Sequence, residues 1–236
     1  MKYTFIIGQN SSNLRLYNVI LKNVCNQINI QCVRYHVSFL SPLDTNTWSA
    51  RYLQTNQWDN QNTPDLIYIP QIIRWLRNKF KFKLLKRKWD PEFSEGAFIY
   101  GSIKAVCKIS DVIHDDKPED LNGLLTEAGK KKLVRDMTTK LTHFQKTIIK
   151  ISPKDIKILV PTTVNLKTDG DKKECEISLR SLALKLHEEY GNVKLVLVAL
   201  QTDFVRDYSE GVKPQWIVSM YNILECTMLS ESPTAW

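Results

Sequence analysis

Residues 174–187 read ECEISLRSLALKLH, and their pattern is that of a β-strand. The first apolar side chains, from Cys175 to Leu179, occupy odd positions, so they share one face of a strand. From Leu182 onward the leucines occupy even positions, so the pattern changes parity near residues 180–181. Such a change predicts a β-bulge in this strand, and a bulge bends a sheet.

Three further β-rich runs accompany this strand: residues 156–167, 193–208 and 215–227. Short turn sequences at residues 169–171 (DGD) and 190–192 (YGN) separate the first three runs and favour hairpins. The four runs therefore predict an antiparallel meander, and the helical patterns all precede it. The predicted fold class is α+β, with N-terminal helices packed on a curved four-stranded antiparallel sheet.

Three helices are predicted before the strands. The first covers residues 71–88. The second begins with Asp90 as its N-cap and Pro91 at its first helical position. The pattern of residues 127–149 predicts one long helix. The packing stripe predicted for the second helix contains Phe93, Ala97, Phe98, Gly101, Ala105 and Ile109.

With 236 residues, the chain has room for one large domain or two small ones. A polar, Asn/Gln/Thr-rich linker is predicted over residues 44–66, a domain over residues 67–227 and a tail over residues 228–236. No run of the sequence approaches the roughly 18 apolar residues that a membrane-spanning helix needs. We therefore expect a soluble or peripheral protein.

Residues 1–43 contain no Asp or Glu. On a helix, Leu14 and Leu21 would share an apolar face, and Arg15 and Lys22 would lie on the next face. An acid-free, basic and amphipathic leader is typical of a mitochondrial transit peptide. The alternatives are a disordered Asn-rich tail and an ordinary helix of the domain.

The basic residues concentrate in RWLRNKFKFKLLKRKW, residues 74–89, which contain eight cations and no acid. The chain has 33 Lys and Arg against 25 Asp and Glu, so this segment accounts for the whole net charge of +8. A basic amphipathic helix with Trp and Phe favours anionic lipid, and the same residues could bind RNA phosphate and bases. A core helix with a solvated outer face is the third alternative. The predicted membrane or polyanion contacts are Arg74, Trp75, Arg77, Lys79, Phe80, Lys81, Phe82, Lys83, Lys86, Arg87, Lys88 and Trp89, of which Trp75, Phe80, Phe82 and Trp89 would insert into the membrane.

The sequence contains no recognisable arrangement for catalysis or metal binding. His36, His114, His143 and His187 each lack a companion at ligand or catalytic spacing. Five cysteines without a CxxC pair predict reduced thiols. Phosphate-binding glycine motifs and nucleophile motifs are absent. We therefore expect no catalytic residue, no metal and no cofactor, and keep an enzyme with an apolar helix–sheet pocket as an alternative.

Two stretches resemble one protein family. Residues 69–106 (IPQIIRWLRNKFKFKLLKRKWDPEFSEGAFIYGSIKAV) contain a proline-led basic helix with WLR, an acid-Glu-Phe junction and a Phe…Gly-x-x-x-Ala helix. Residues 204–225 (FVRDYSEGVKPQWIVSMYNILE) contain an aromatic–acidic stretch and a Gly-Val-Lys-Pro-x-Trp run. Both resemble the mitochondrial m-AAA protease-interacting protein family, also called matrix AAA peptidase-interacting protein, over about a quarter of the chain.

The resemblance implies a Tim44-like domain, of the NTF2-like or cystatin-like type, on the matrix side of the mitochondrial inner membrane. It implies a non-enzymatic adaptor that binds the m-AAA protease and supports sorting and maturation of the precursor of a calcium uniporter regulatory subunit. Anionic inner-membrane lipid would be a further partner, and no DNA partner is expected. The alternative is a mitoribosome-associated protein of the same fold whose basic helix binds rRNA. The residues that would shape the matched motifs are Phe93, Phe98, Gly101, Ala105, Gly211, Pro214 and Trp216, with Trp216 as a packing anchor.

Overall fold

The computed structural model describes residues 4–7, 31–32, 66–69, 71–189 and 192–229. Its helices are α1 (Ile72–Lys88), α2 (Glu95–Asp115), α3 (Glu127–Thr139) and α4 (His143–Ile148). Its strands are β1 (Thr4–Ile7), β2 (Gln31–Cys32), β3 (Leu66–Ile69), β4 (Ile156–Asp169), β5 (Lys172–Glu189), β6 (Asn192–Asp207) and β7 (Ile217–Leu229).

The larger sheet is an antiparallel meander in the order β4-β5-β6-β7. Its central pair keeps one register throughout, from Glu174 opposite Asp207 to Glu189 opposite Asn192. Gly170 turns the β4–β5 hairpin with φ +56°, a conformation that side chains other than glycine rarely adopt. The prediction of an α+β protein with helices preceding a four-stranded antiparallel sheet is therefore confirmed.

The bulges of this sheet lie in its outer strands. The prediction of a bulge in β5 near residues 180–181 is wrong, because β5 pairs with β6 without any shift there. β4 carries two register shifts against β5, and β7 carries two against β6. A bulge adds one unpaired residue and bends its own strand. The bends therefore belong to the two edges of the sheet.

The change of parity in β5 comes instead from burial on both faces of the sheet. Directly opposite residues of paired strands share a face. Leu182 lies opposite Ala199 and Leu184 lies opposite Leu197, and all four side chains are buried. On the other face, Cys175, Ile177, Leu179 and Ala183 of β5 belong to the main core together with residues of the helices. Residues 181–184 are thus buried on both faces, and the alternation disappears.

The second helix begins later than predicted. Ser94 is the N-cap of α2, and Glu95 is its first residue. The prediction of Asp90 as the N-cap is wrong because its carboxylate is buried and bound by the sheet. The Tyr208 hydroxyl donates to Asp90 Oδ2 at 2.9 Å, and Arg206 Nη1 lies 3.1 Å from the same oxygen.

The single helix predicted over residues 127–149 is two helices, α3 and α4. Thr142 accounts for the break. Its hydroxyl accepts a hydrogen bond from Gln145 N at 3.1 Å, and the Gln145 side chain accepts one from Thr142 N at 3.1 Å. This reciprocal capping box satisfies the amides at the start of α4, so a new helix begins there.

Helix α3 is fastened to the edge strand β7. The Thr126 amide donates to Val218 O at 2.9 Å. Gly129 lies so close to β7 that a Cβ added to it would be 2.6 Å from Ser219 O. Any larger residue at Gly129 would therefore displace the helix from the strand.

A second, smaller sheet has the order β2-β1-β3, with β1 parallel to β2 and antiparallel to β3. It takes two short strands from the predicted transit peptide and one from the junction of the predicted linker and domain. The amphipathic helix predicted near residues 14–28 lies outside the described residues, as do most of the linker and the tail from residue 230.

Candidate membrane or polyanion interface

Helix α1 lies along the edge strand β4 and binds it through polar side chains. Asn78 Nδ2 donates to Pro161 O at 2.9 Å, and Lys81 Nζ donates to Val164 O at 2.5 Å. These bonds satisfy carbonyl groups that an open edge strand would leave unpaired. Lys81, predicted as a lipid or RNA contact, therefore has a structural role in holding α1 on the sheet.

The apolar side chains on the inward side of α1 belong to the core. Leu85 is fully buried, and Phe82 stacks on Phe93 with ring centroids 5.6 Å apart. Trp89, at the end of the helix, lies against Tyr208 with a centroid distance of 5.8 Å. The prediction that Phe82 and Trp89 insert into a membrane is corrected by these contacts, because the two rings are already packed within the protein.

The outward side of α1 is apolar over the first half of the helix. The exposed fraction is 84% for Ile73 and 68% for Phe80. A contiguous group of large apolar side chains on a surface marks an interaction site rather than a solvated face. We call this group the apolar patch; its members are Ile72, Ile73, Trp75, Leu76 and Phe80.

The outward side becomes basic over the second half. Lys83, Lys86, Arg87 and Lys88 are all exposed, and we call them the basic end. The last three lie in the final turn of α1, where a cation also interacts favourably with the helix dipole by about 0.3–1 kcal/mol. The dipole explains the sign of the charge near the C-terminus. It does not explain the apolar patch beside it.

The remaining cations of the segment occupy the flanks of α1. Lys79 Nζ lies 2.6 Å from Glu95 Oε2 at the surface. Exposed pairs of this kind contribute about 0–1 kcal/mol, so Lys79 remains available to other anions. Arg77 is exposed. Arg74 is half-buried and lines a small cleft together with Trp75.

The residues of the two matched motifs meet around Trp216. Its ring lies 4.8 Å from that of Phe98 and 6.3 Å from that of Phe93, between centroids. Gly211, in the loop before β7, has φ +79°, and Pro214 is exposed in the same loop. The structure thus places the loop so that Trp216 packs against the start of α2.

Sequence reasoning missed the network of Asp90, Arg206 and Tyr208. Burial and the hydrogen bond to Asp90 raise the pKa of the Tyr208 phenol well above its ordinary value, so the phenol remains a proton donor. The Arg206 guanidinium lies 4.9 Å from the centre of the Tyr208 ring and 5.7 Å from that of Trp216. The Asp90 carboxylate and the Tyr208 hydroxyl are 118 positions apart, so no local pattern could have paired them.

A cleft of about 620 Å³ opens between α2 and this network. Gly101 and Ala105, which the family resemblance singled out, face this cleft. A Cβ added to Gly101 would meet no atom within 4 Å. The other cleft residues important to its chemistry are Phe93, Ala97, Phe98, Lys104, Lys108 and Arg206.

The thiols of Cys107, Cys175 and Cys226 are buried and unpaired with one another. Burial raises the pKa of Cys175 to about 12 and the pKa values of Cys107 and Cys226 to about 11. These thiols are therefore protonated and weakly nucleophilic at neutral pH. Across the described ranges, no set of three His, Cys, Asp or Glu side chains is placed to hold a metal ion.

Helices long and apolar enough to cross a membrane are absent from the part of the chain that the structure describes. Comparison of the sequence with protein-family models and with curated proteins found no match.

Proposed function

We propose that this protein is a non-enzymatic adaptor that helix α1 holds peripherally at an anionic membrane. The observation that carries this proposal is the outward side of α1, where an exposed apolar patch adjoins an exposed basic end. An interfacial helix binds with its apolar side chains at the acyl boundary and its cations on the headgroups. Each cation near an anionic surface contributes on the order of 1 kcal/mol, so four of them reinforce the apolar contact substantially.

The membrane in this proposal is the mitochondrial inner membrane, with the protein on the matrix side. The support is the resemblance of residues 69–106 and 204–225 to the m-AAA protease-interacting family, together with the acid-free leader. On this basis the domain is Tim44-like. Its partners are the m-AAA protease and the precursor of a calcium uniporter regulatory subunit.

Flotation with cardiolipin-containing vesicles tests the membrane role. Replacing the basic end by Gln should reduce the floated fraction sharply, and replacing Ile73, Leu76 and Phe80 by Ser should do the same through the apolar contact. Both changes lie outside the core, so the folded structure should be retained. Lys81 is left in place because it binds β4.

A matched control removes the same charge elsewhere. Lys117, Lys131, Lys154 and Lys213 are exposed and distant in sequence from α1. Their joint replacement by Gln lowers the net charge by the same four units and should leave flotation nearly unchanged. Equal loss of flotation in both four-charge variants would mean that net charge, and not α1, drives binding, and the membrane proposal would fail.

The second candidate is a mitoribosome-associated protein. Trp75 and Phe80 are exposed among the cations of α1, and such rings can stack on bases while Lys and Arg contact phosphate. Sedimentation of a matrix extract separates the two candidates. Co-migration with the large ribosomal subunit that survives detergent and is lost with RNase would favour the ribosomal role.

A further inference from the structure

The cleft beside α2 is separate from the outward side of α1 and has its own chemistry. Its α2 side consists of residues on one edge of the helix, from Ala97 to Lys108. Eleven residue steps at about 1.5 Å give a groove about 16 Å long. Small residues recur at intervals of four along this edge, at Ala97, Gly101 and Ala105. The backbone of α2 is therefore close to the cleft surface at these positions.

Gly101 is not required by the fold. Glycine in an exposed helix interior is less favourable than alanine. Gly101 has neither a positive φ nor a close neighbour that a Cβ would meet within 4 Å. By contrast, Gly129 in α3 allows the backbone of β7 to approach closely. The space that Gly101 leaves open therefore belongs to the cleft alone.

The cleft is lined by aromatic side chains at its base and by several charged side chains. The base is aromatic, formed by Phe93, Phe98, Phe204 and Trp216. The lining cations are Lys104, Lys108 and Arg206, and the lining acids are Asp90 and Glu92.

The charges of the cleft favour an anionic occupant. Asp90 and Arg206 form an ion pair and largely neutralise each other, which leaves two lining cations, Lys104 and Lys108, against one lining acid, Glu92. Lys104 and Lys108 are both exposed in the cleft lining, so both are within reach of a carboxylate on the occupant.

We propose that this cleft binds a short amphipathic helix of a partner protein. The partner's apolar side chains would lie on the aromatic base, and at least one Asp or Glu would face the cations. Helices dock in grooves through anchors at positions i, i+3 or i+4, and i+7, which a groove of about 16 Å accommodates. The small residues Ala97, Gly101 and Ala105 allow the partner's backbone to come close. This inference rests on the proposed adaptor function and names the chemistry of its protein partner.

Selection from a phage-displayed library of helical peptides against the full-length protein tests the proposal. The selected peptides should share apolar residues at helical spacing and at least one acid. The variant Gly101→Leu fills the cleft and should bind them at least about tenfold more weakly, a difference of about 1.4 kcal/mol. Gly96→Leu is the matched control, since Gly96 lies in the same helix, outside the cleft, with only Ser94 Oγ near its Cβ position, at 3.9 Å.

The charge requirement has its own test. The double variant Lys104→Glu, Lys108→Glu should weaken binding about tenfold, and a peptide with Lys in place of its acid should bind this variant better than the wild type. Vesicle flotation of Gly101→Leu should equal that of the wild type. Loss of peptide binding with flotation retained therefore concerns the cleft and leaves the membrane role untouched.

Three results would overturn the proposal. Selected peptides that bind Gly101→Leu as tightly as the wild type would place their site elsewhere. Selected peptides without an acid would remove the role of the cations. The absence of enriched peptides, combined with binding of decanoate that Gly101→Leu abolishes, would assign the cleft to a small amphiphile, since its volume also lies in the range of about 300–1,000 Å³ typical of small-molecule sites.

Discussion

Helices α1 and α2 follow one another in the chain but relate to the sheet in different ways. α2 buries eight of its residues, and α1 buries three, one of which is the polar residue Asn78. The most regular apolar stripe of α1, which includes Ile72, Ile73, Leu76 and Phe80, faces outward. In α2 the predicted packing stripe divides: Phe98 and Ile109 belong to the core, whereas Ala97 and Gly101 are exposed in the cleft, so the prediction that they pack in the core is wrong.

The difference shows that an apolar stripe does not by itself identify the buried side of a helix. α1 packs on a sheet edge, where hydrogen-bonding side chains are needed to satisfy strand carbonyls. Asn78 and Lys81 therefore face inward, and the larger part of the apolar surface is left for another partner. α2 packs among buried aromatic and aliphatic side chains, where apolar burial decides its orientation.

The largest expected change in the free energy of unfolding distinguishes the inward side of α1 from its outward side. Leu85→Ala should lower the free energy of unfolding by about 2–5 kcal/mol, because it removes a fully buried side chain and leaves a cavity. Phe80→Ala should change it by no more than about 0.5 kcal/mol, because Phe80 is exposed, yet it should weaken flotation. Urea unfolding measures both. A large destabilisation by Phe80→Ala would reverse the assignment of inward and outward sides.

The junction of the two helices should show the next largest effect. Asp90→Ala leaves the partly buried Arg206 guanidinium without its carboxylate, and should lower the free energy of unfolding by about 3 kcal/mol. Tyr208→Phe removes one hydrogen bond to the same carboxylate and should cost about 1 kcal/mol. Denaturant unfolding should show a larger loss of stability for Asp90→Ala than for Tyr208→Phe. Equal effects would indicate that the ion pair adds nothing beyond the hydrogen bond.

The attachment of α1 to β4 is expected to contribute less. Asn78→Ala removes the bond to Pro161 O and should destabilise the protein by about 1 kcal/mol. Hydrogen exchange should show faster opening of α1 with little change in α2. Uniform acceleration across both helices would mean that α1 and α2 open together, and the contrast between them would not hold.

The smallest expected change in stability comes from a substitution on the cleft side of α2. Gly101→Ala should stabilise the protein by about 1 kcal/mol, because alanine has the higher helix propensity and its Cβ meets no atom within 4 Å. Gly129→Ala should destabilise it, because its Cβ would lie 2.6 Å from Ser219 O. Thermal unfolding measures the stability of the two variants. Stabilisation by both variants would contradict the close approach of α3 to β7.

Local patterns were sufficient for the four strands of the larger sheet and for the position of the basic helix, but not for the bulges of that sheet or for the smaller sheet. The four β-rich runs became the four strands of the meander, and residues 71–88 became α1 with a difference of one residue at its start. The first residue of α2 was predicted incorrectly because the pair Asp90-Pro91 has a good capping pattern. In the structure the Asp90 carboxylate instead forms an ion pair with the distant Arg206. The break before α4 was missed, although Thr142 and Gln145 form a capping box that the sequence displays.

Composition and periodicity alone established the class of the fold, the concentration of positive charge in one helix and the absence of common catalytic motifs, because these depend on residues close together in the chain. Tertiary packing decided which side of α1 faces solvent, which lysine is structural, and that Asp90, Arg206 and Trp216 surround one cleft. Those outcomes depend on bonds to edge carbonyls 83 positions away and on ion-pair and hydrogen-bond contacts with Asp90 from more than 100 positions away, and no local pattern encodes such separations.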